Sequence, residues 1–353
     1  MMIRVERKQR KTITALSDSI GVMIIVCIAC ASIVLLALLL SNDPLKTLKY
    51  FFFGSFQSMC YLGNMINSAI PLIFGGLGVS LAMKAGLFNL GGEGQVYAGA
   101  FVASILVLVM APFGIVGAIL ALLAAIGVSS LLAGISGMLK AAWNTNELIT
   151  SFLVSNIVLL VVNYLIAGPF KDPNTNLIAT RRIPPQFMLP KIMPPSNLST
   201  ALYFAIIAVM LVQIFLYRTK SGYELRMYGL NSTFAIYGGI SRSRYQIGPM
   251  MLSGSLYGLA GALAIYGTYF TSIKEFSSGM GWNAIAVALI ARFRPMAIIP
   301  AALFFAYIES GARNAMLHSD VTYEISSIVQ AVVFLFVTST VLQKGSIRTR
   351  RNL

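Results

Sequence analysis

Residues 20–40 hold no charged side chain. A run of that length is what one helix needs to cross a bilayer, about 20 residues at roughly 1.5 Å each over a hydrocarbon core near 30 Å. It is too long for the apolar part of a signal peptide. No small-residue cleavage site follows it before Asn42-Asp43-Pro44, so it reads as a retained helix. Comparable apolar segments recur near 60–83, 94–110, 114–139, 148–167, 199–217, 245–270, 277–291, 295–309 and 324–343. A backbone in lipid must satisfy its own hydrogen bonds, which favours helices. The expected fold is all-α: a polytopic integral membrane protein of about ten transmembrane helices, some short or broken, forming one domain over 1–353. Segments 277–291 and 295–309 barely reach bilayer length and read as a broken hairpin.

Composition agrees. Of the residues, 57% are hydrophobic and 10% charged, where soluble domains carry about a quarter charged. The net charge of +15 would point to nucleic acid in a soluble chain. In a membrane protein it reflects Lys and Arg held in cytoplasmic loops near anionic lipid, so no nucleic-acid partner is expected. Cys27 and Cys30 have CxxC spacing, but Cys60 is the only other cysteine and His318 the only histidine. These cysteines read as small packing residues of membrane helices. No metal and no cofactor are expected.

Basic residues set the orientation. The arm 1–19 carries Arg4, Arg7, Lys8, Arg10 and Lys11, and the tail 344–353 carries Lys344, Arg348, Arg350 and Arg351. An even helix count puts both termini in the cytoplasm. Lys84, Lys140, the group in 219–244 and the pair Arg292 and Arg294 then also face inward, leaving a minority of the 26 Lys and Arg outside. The connection 168–198 carries seven prolines, from Pro169 to Pro195. They forbid a continuous helix. It reads as an external loop, either a docking surface or a plain linker between halves. The Gly-rich stretch 75–94 has a rough counterpart at 279–295, and paired broken segments mark the transport site of repeat-built transporters.

Two stretches carry the most information. The first is Lys84-Ala-Gly-Leu-Phe-Asn-Leu-Gly-Gly-Glu-Gly-Gln95. Glycines permit positive φ and close backbone approach. A carboxylate at a membrane helix edge is costly unless paired or hydrated, and it suits a helix N-terminus. The stretch is therefore either a capped cytoplasmic turn or a gate at the mouth of a pathway. The second lies in the cytoplasmic loop 219–244. Asn231-Ser-Thr can cap a short helix at 233–240 whose apolar face is Phe234, Ala235 and Tyr237, with Gly238 and Gly239 ending it. Such a helix lies on lipid or enters a groove on a soluble partner.

The run Gly222-Tyr-Glu-Leu-Arg226…Gly229-Leu-Asn231…Ala235…Gly239-Ile240 resembles the coupling-helix loop of permease subunits of bacterial ATP-binding-cassette importers. The run Asn89-Leu-Gly-Gly-Glu-Gly-Gln95 is similar to the inner-loop signature of the same family, which serves simple sugars, nucleosides and branched-chain amino acids. It looks closest to the nucleoside and simple-sugar branch. The resemblance covers about 20–343. One departure is Phe234-Ala235 where the family has an Ala-Ala pair. The resemblance implies a non-catalytic transport subunit in the bacterial cytoplasmic membrane. ATP would be hydrolysed in a separate ATPase subunit, and this chain has no G-x-x-x-x-G-K-[ST] phosphate loop. It also implies a second permease, identical or different, and an extracytoplasmic substrate-binding protein. The coupling residues would be Gly222, Glu224, Arg226, Gly229, Asn231, Phe234, Ala235, Tyr237, Gly239 and Ile240.

Polar and aromatic residues in or beside the apolar segments are the pathway candidates: Asn64, Asn67, Asn89, Glu93, Gln95, Asn146, Asn156, Trp282 and Asn283. Amides offer donor and acceptor to a hydroxyl or a purine edge, and an aromatic ring can stack on a base. Asn and Ser also hold membrane helices together, and Trp282 equally suits an interfacial anchor. The expected solute is a nucleoside. The alternatives are a simple sugar such as ribose, riboflavin, or a branched-chain amino acid. An ion-coupled secondary transporter would need buried ionisable groups. Here most of the 11 acids fall in loops or at segment edges, Glu147 and Glu309 being the exceptions.

Overall fold

A computed structural model describes residues 27–325 and 327–336. The basic arm 1–19 and the tail 344–353 lie outside the described residues. Among those described, the architecture is helical, with two isolated β-bridges and no strand. Seven helices are long and apolar enough to cross a membrane: α3 (Met59–Lys84), α4 (Gly92–Val109), α5 (Gly114–Trp143), α6 (Glu147–Ala167), α7 (Ala201–Arg218), α10 (Arg242–Ala264) and α12 (Pro295–His318). Three further apolar helices are shorter: α1 (Cys27–Leu40), α11 (Met280–Ile290) and α13 (Ser327–Phe336). Each of the ten expected segments thus carries a helix, but among the described residues the number of full spans supported is seven. Three helices are not membrane-length at all: α2 (Pro44–Phe53), α8 (Lys220–Leu230) and α9 (Ser232–Tyr237).

The contacts divide the chain into two units. The larger, 58–306, is centred on α3 and α10. Of α3's most apolar 18 residues, 83% are buried, against 28% for α5 and α6. So α5 and α6 keep most of their apolar surface for lipid, and α3 keeps almost none. Small residues allow the close packing that membrane helices need when burial of apolar area gives no advantage over lipid. Gly75 and Gly78 of α3 lie against Tyr257 and Ser253 of α10, and Asn67 of α3 donates to Thr268 Oγ1 at 2.9 Å. Residue numbers fall along one helix as they rise along the other, so α3 and α10 are antiparallel. By the same reasoning α4 runs parallel to α10: Asn89 meets Ser253, Gly92 meets Tyr257 and Val96 meets Gly261.

Helix α10 continues as a π-helical turn, Ile265–Tyr269, and ends at Phe270 in the left-handed region. The chain then returns as an irregular strand of backbone, 271–279, before α11 begins. The Pro-rich connection 168–198 is bonded to this return. Thr180 N–H donates to Ser272 O at 3.0 Å, Ile183 N–H to Phe270 O at 2.9 Å, and Leu189 N–H to Tyr266 O at 2.8 Å. These bonds satisfy backbone groups of both segments, so the connection is a fitted part of the larger unit rather than a loose tether.

The smaller unit contains α1, α2, the second half of α12 from Tyr307, and α13. Asp43 caps α2, accepting from Lys46 N–H at 3.1 Å, and Pro44 occupies the first turn, where its missing N–H costs nothing. Buried hydroxyls join the helices: Ser55 donates to Ser310 Oγ at 3.0 Å, and Tyr307 to Phe52 O at 2.9 Å.

Candidate functional site

Within the larger unit, the helices α4 and α11 begin at the same place. Both N-termini lie beside Tyr257, near the middle of α10. Gly281 is so close to the α4 backbone that a Cβ there would collide with Glu93 N and Gly92 C. Glu93, in the first turn of α4, is buried and spans the gap. Its Oε1 accepts the N–H of Gly279 at 2.9 Å and its Oε2 that of Gly281 at 2.7 Å. A helix leaves its first N–H groups without internal partners and carries partial positive charge there. One carboxylate therefore satisfies the start of α11 while sitting on the start of α4. This is how a charge can exist at such depth: both oxygens take charge-assisted bonds. Gly279 has φ +85°, a conformation that glycine adopts without strain.

The start of α4 is held from other sides too. Ser151 and Ser155, four apart on α6, accept from Leu90 N–H at 3.0 Å and Gly94 N–H at 2.8 Å. Asn89 and Gln95 bond each other reciprocally, at 2.9 and 3.1 Å, and Asn89 Nδ2 also reaches Ser253 Oγ at 3.0 Å. These amides are buried, and their bonding groups are engaged within the protein. One turn further along α4, Tyr97 donates to Asn163 Oδ1 at 2.6 Å and accepts from Glu275 N–H at 3.0 Å.

Of the sequence candidates, the fold brings together Asn89, Glu93, Gln95, Trp282 and Asn283. Trp282 follows the Glu93-bound amides on α11, is 44% exposed, and meets Phe152 edge-on at 6.2 Å between centroids. Asn64 and Asn67 lie elsewhere, toward the far end of α10. Asn64 Oδ1 accepts from Asn197 N–H at 2.8 Å, and Asn67 bonds Thr268. From Ser253 to Thr268 is a helical rise of roughly 22 Å. Asn146 is exposed and caps α6, accepting from Leu148 N–H at 2.9 Å; Asn156 donates to Phe152 O at 2.8 Å within its own helix.

The second motif forms an elbow of α8 and α9. Thr219 caps α8, and Asn231 caps α9 by accepting from Phe234 N–H at 2.9 Å. The short helix spans six residues, Ser232–Tyr237, rather than 233–240. Gly238 through Ile240 form its C-terminal cap: Gly239 has φ +83°, and Ile240 N–H returns to Ala235 O at 3.0 Å. The expected apolar face divides. Ala235 is buried, while Phe234, Tyr237 and the neighbouring Leu230 are exposed. Glu224 accepts from Tyr245 Oη at 2.6 Å, and the Arg226 guanidinium lies 5.0 Å from the Tyr217 ring centroid. Gly222 packs where a Cβ would strike Phe215 O. Gly229 packs likewise against Lys84 O and the following turn. The elbow is thus seated directly on the start of the connection between α3 and α4, which leads on to Glu93 in the first turn of α4.

Sequence reading missed Tyr97 and Ser253. The available signal was a phenol or hydroxyl amid small residues in an apolar helix, which marks a close helix crossing as often as a site.

Comparison with known proteins follows the same lines. The family described as "Branched-chain amino acid transport system / permease component" matches residues 61–338. The chain is 34% identical to a probable riboflavin import permease protein of Treponema pallidum, covering 92% of this chain and 85% of that protein. It is 31% identical to a guanosine ABC transporter permease protein of Bacillus subtilis, covering 81% and 83%. It is 28% identical to a glucose ABC transporter permease protein of Haloferax volcanii, covering 96% and 92%. No solved structure matches the chain.

Proposed function

Because the chain belongs to this permease family of ATP-binding-cassette transporters, we propose that it is the membrane subunit of an importer that passes a small polar solute into the cell. The observation that carries the reading is the contact of Gly229 on the α3–α4 turn. It joins the exposed elbow to the Glu93 junction through one continuous stretch of backbone. In this reading a partner ATPase grips Leu230, Phe234 and Tyr237. Its motion is passed through α8 to residues 84–93, and release of Glu93 from α11 opens the path. A second permease and an extracytoplasmic binding protein complete the assembly, in the bacterial cytoplasmic membrane with both termini inside.

The solute we infer is a nucleoside. The polar groups near the junction are chiefly amides and hydroxyls, and Trp282 offers a ring for stacking. A phosphate-bearing solute would ask for charge-assisted partners. Riboflavin is the second reading, favoured by the 34% identity to the Treponema pallidum relative; it too joins a flat heterocycle to a hydroxylated five-carbon unit. The test is uptake by the reconstituted assembly. Guanosine uptake inhibited by other nucleosides but not by glucose supports the first reading. Riboflavin uptake untouched by nucleosides supports the second. Glucose uptake indifferent to both overturns the ring requirement.

A further inference from the structure

A cavity of about 330 Å³ opens at the end of α4, walled by Ile105, Leu108, Val109 and Phe170 and rimmed by Lys171 and Arg181. Ile105, Leu108 and Val109 share one helical face. Val109 is 66% exposed, and beyond it Phe113 and Ile115 continue an exposed apolar surface around the turn into α5. That turn joins two membrane-length helices, so it lies at the level where hydrocarbon gives way to headgroups. The apolar wall therefore faces acyl chains, and the two cations stand where lipid phosphates are.

The rim is built, not incidental. Lys171 and Arg181 are ten positions apart, and the backbone brings them to one opening. Asp172 N–H donates to Ala179 O at 2.9 Å, closing the intervening loop, and Thr180 N–H donates to Ser272 O at 3.0 Å, fixing its base. Edge-on contact of Phe101 with Phe170, 5.4 Å between centroids, holds the other side. Among the described residues neither the Lys171 ammonium nor the Arg181 guanidinium has a hydrogen bond or ion pair. No carboxylate lines the cavity. The adjacent Asp172 is turned to its own loop, its Oδ1 accepting from Asn174 N–H at 3.0 Å.

We propose that this cavity binds the headgroup of an anionic glycerophospholipid. Lys171 and Arg181 hold the phosphate, Arg by its two-pronged donor geometry, and the upper part of one acyl chain lies along Ile105, Leu108 and Val109. Cavities of roughly 300–1,000 Å³ enclose small ligands, so this one takes a headgroup and leaves the tails in the bilayer. Isolated cations at a membrane boundary merely extend to water; two that converge over a lipid-facing apolar wall define a phosphate site. An acidic protein segment would use the cations but has no use for that wall.

The test is native mass spectrometry of the detergent-purified chain after exchange with phosphatidylglycerol or phosphatidylcholine. The wild type should retain phosphatidylglycerol preferentially. The exposed double substitution K171A/R181A should retain at least tenfold less, K171R/R181K should restore most of it, and R182A, which removes a cation packed on Phe270 instead, should leave it unchanged. Equal retention by wild type and K171A/R181A overturns the proposal. So does displacement of the lipid by glycerol phosphate alone at similar concentration, which would mean a simple anion site. Loss of binding-protein docking in K171A/R181A with bound lipid unchanged would overturn it in favour of a protein contact.

Discussion

Glu93 Oε2 lies 2.7 Å from the backbone nitrogen of Gly281, so the first turn of α4 and the first turn of α11 share one carboxylate. The substitution Glu93→Gln preserves shape but leaves a single acceptor oxygen for two N–H groups. A buried N–H left unsatisfied costs about 1–3 kcal/mol. We expect a lower melting temperature for the purified chain and slower solute uptake. An unchanged melting temperature would remove Glu93 from its role in joining the helices. Gly281→Val tests the same junction sterically, since its side chain would enter the Glu93 backbone.

The elbow separates two kinds of substitution that the sequence alone treats alike. Tyr237 and Phe234 are exposed and Ala235 is buried. Tyr237→Ala with Phe234→Ala should leave the chain's own stability unchanged and reduce ATPase co-purification severalfold. Ala235→Glu should instead destabilise the elbow, because a carboxylate placed there loses water without gaining a partner. Protease accessibility of the 219–244 loop distinguishes them: it rises for Ala235→Glu only.

Much of this was legible beforehand, for physical reasons. Long apolar runs announce helices whatever their neighbours do, and the glycines around Glu93 announce a backbone crossing. The caps at Thr219 and Asn231 are local: Asn231 is legible as a cap and Gly238 and Gly239 as the helix end, while the expected range reaches Ile240 and the helix itself stops at Tyr237. The partner of Glu93 was not legible. Gly279 and Gly281 lie far away in sequence, and nothing local says that two helices start at one point. The same holds for Asn89 and Gln95. As sequence, two amides in a motif suggest a solute; in the fold they bond each other.

Asp320 joins the end of α12 to the α1–α2 turn, accepting from Ser41 Oγ, Asn42 N–H and Asn42 Nδ2, each at 2.7 Å. These bonds favour the ionised form and pull its pKa down from 3.8 to about 2, the Ser41 hydroxyl contributing most. A lowered folded pKa means the contact is fully present above the ordinary aspartate range and is lost as pH falls through about 2. Hydrogen exchange at 41–43 should therefore show protection that does not change between pH 8 and 5 after correction for intrinsic rates. Asp320→Asn should abolish much of it at every pH. Protection that titrates near pH 6 would point to a different group.

Trp282 decides whether the solute's ring is felt at the junction. It follows directly on Gly281, so its position on α11 is fixed by the bonds that Glu93 makes. Nearly half of it is exposed, and its ring stands at a steep angle to that of Phe152, so part of the indole is open to a flat ligand. Ring contacts of this kind are worth about 0.5–1.5 kcal/mol beyond area burial. Trp282→Ala should raise the half-saturating concentration for a heterocyclic solute by roughly two- to tenfold on that scale. Trp282→Phe should recover most of the loss. A purely packing role predicts something else: both substitutions would lower thermal stability in step with uptake. Reading uptake and melting temperature on the same preparations separates the two. Uptake lost with stability intact in Trp282→Ala, and restored in Trp282→Phe, places the indole on the solute's path. A parallel fall in both makes it a packing residue between α6 and α11.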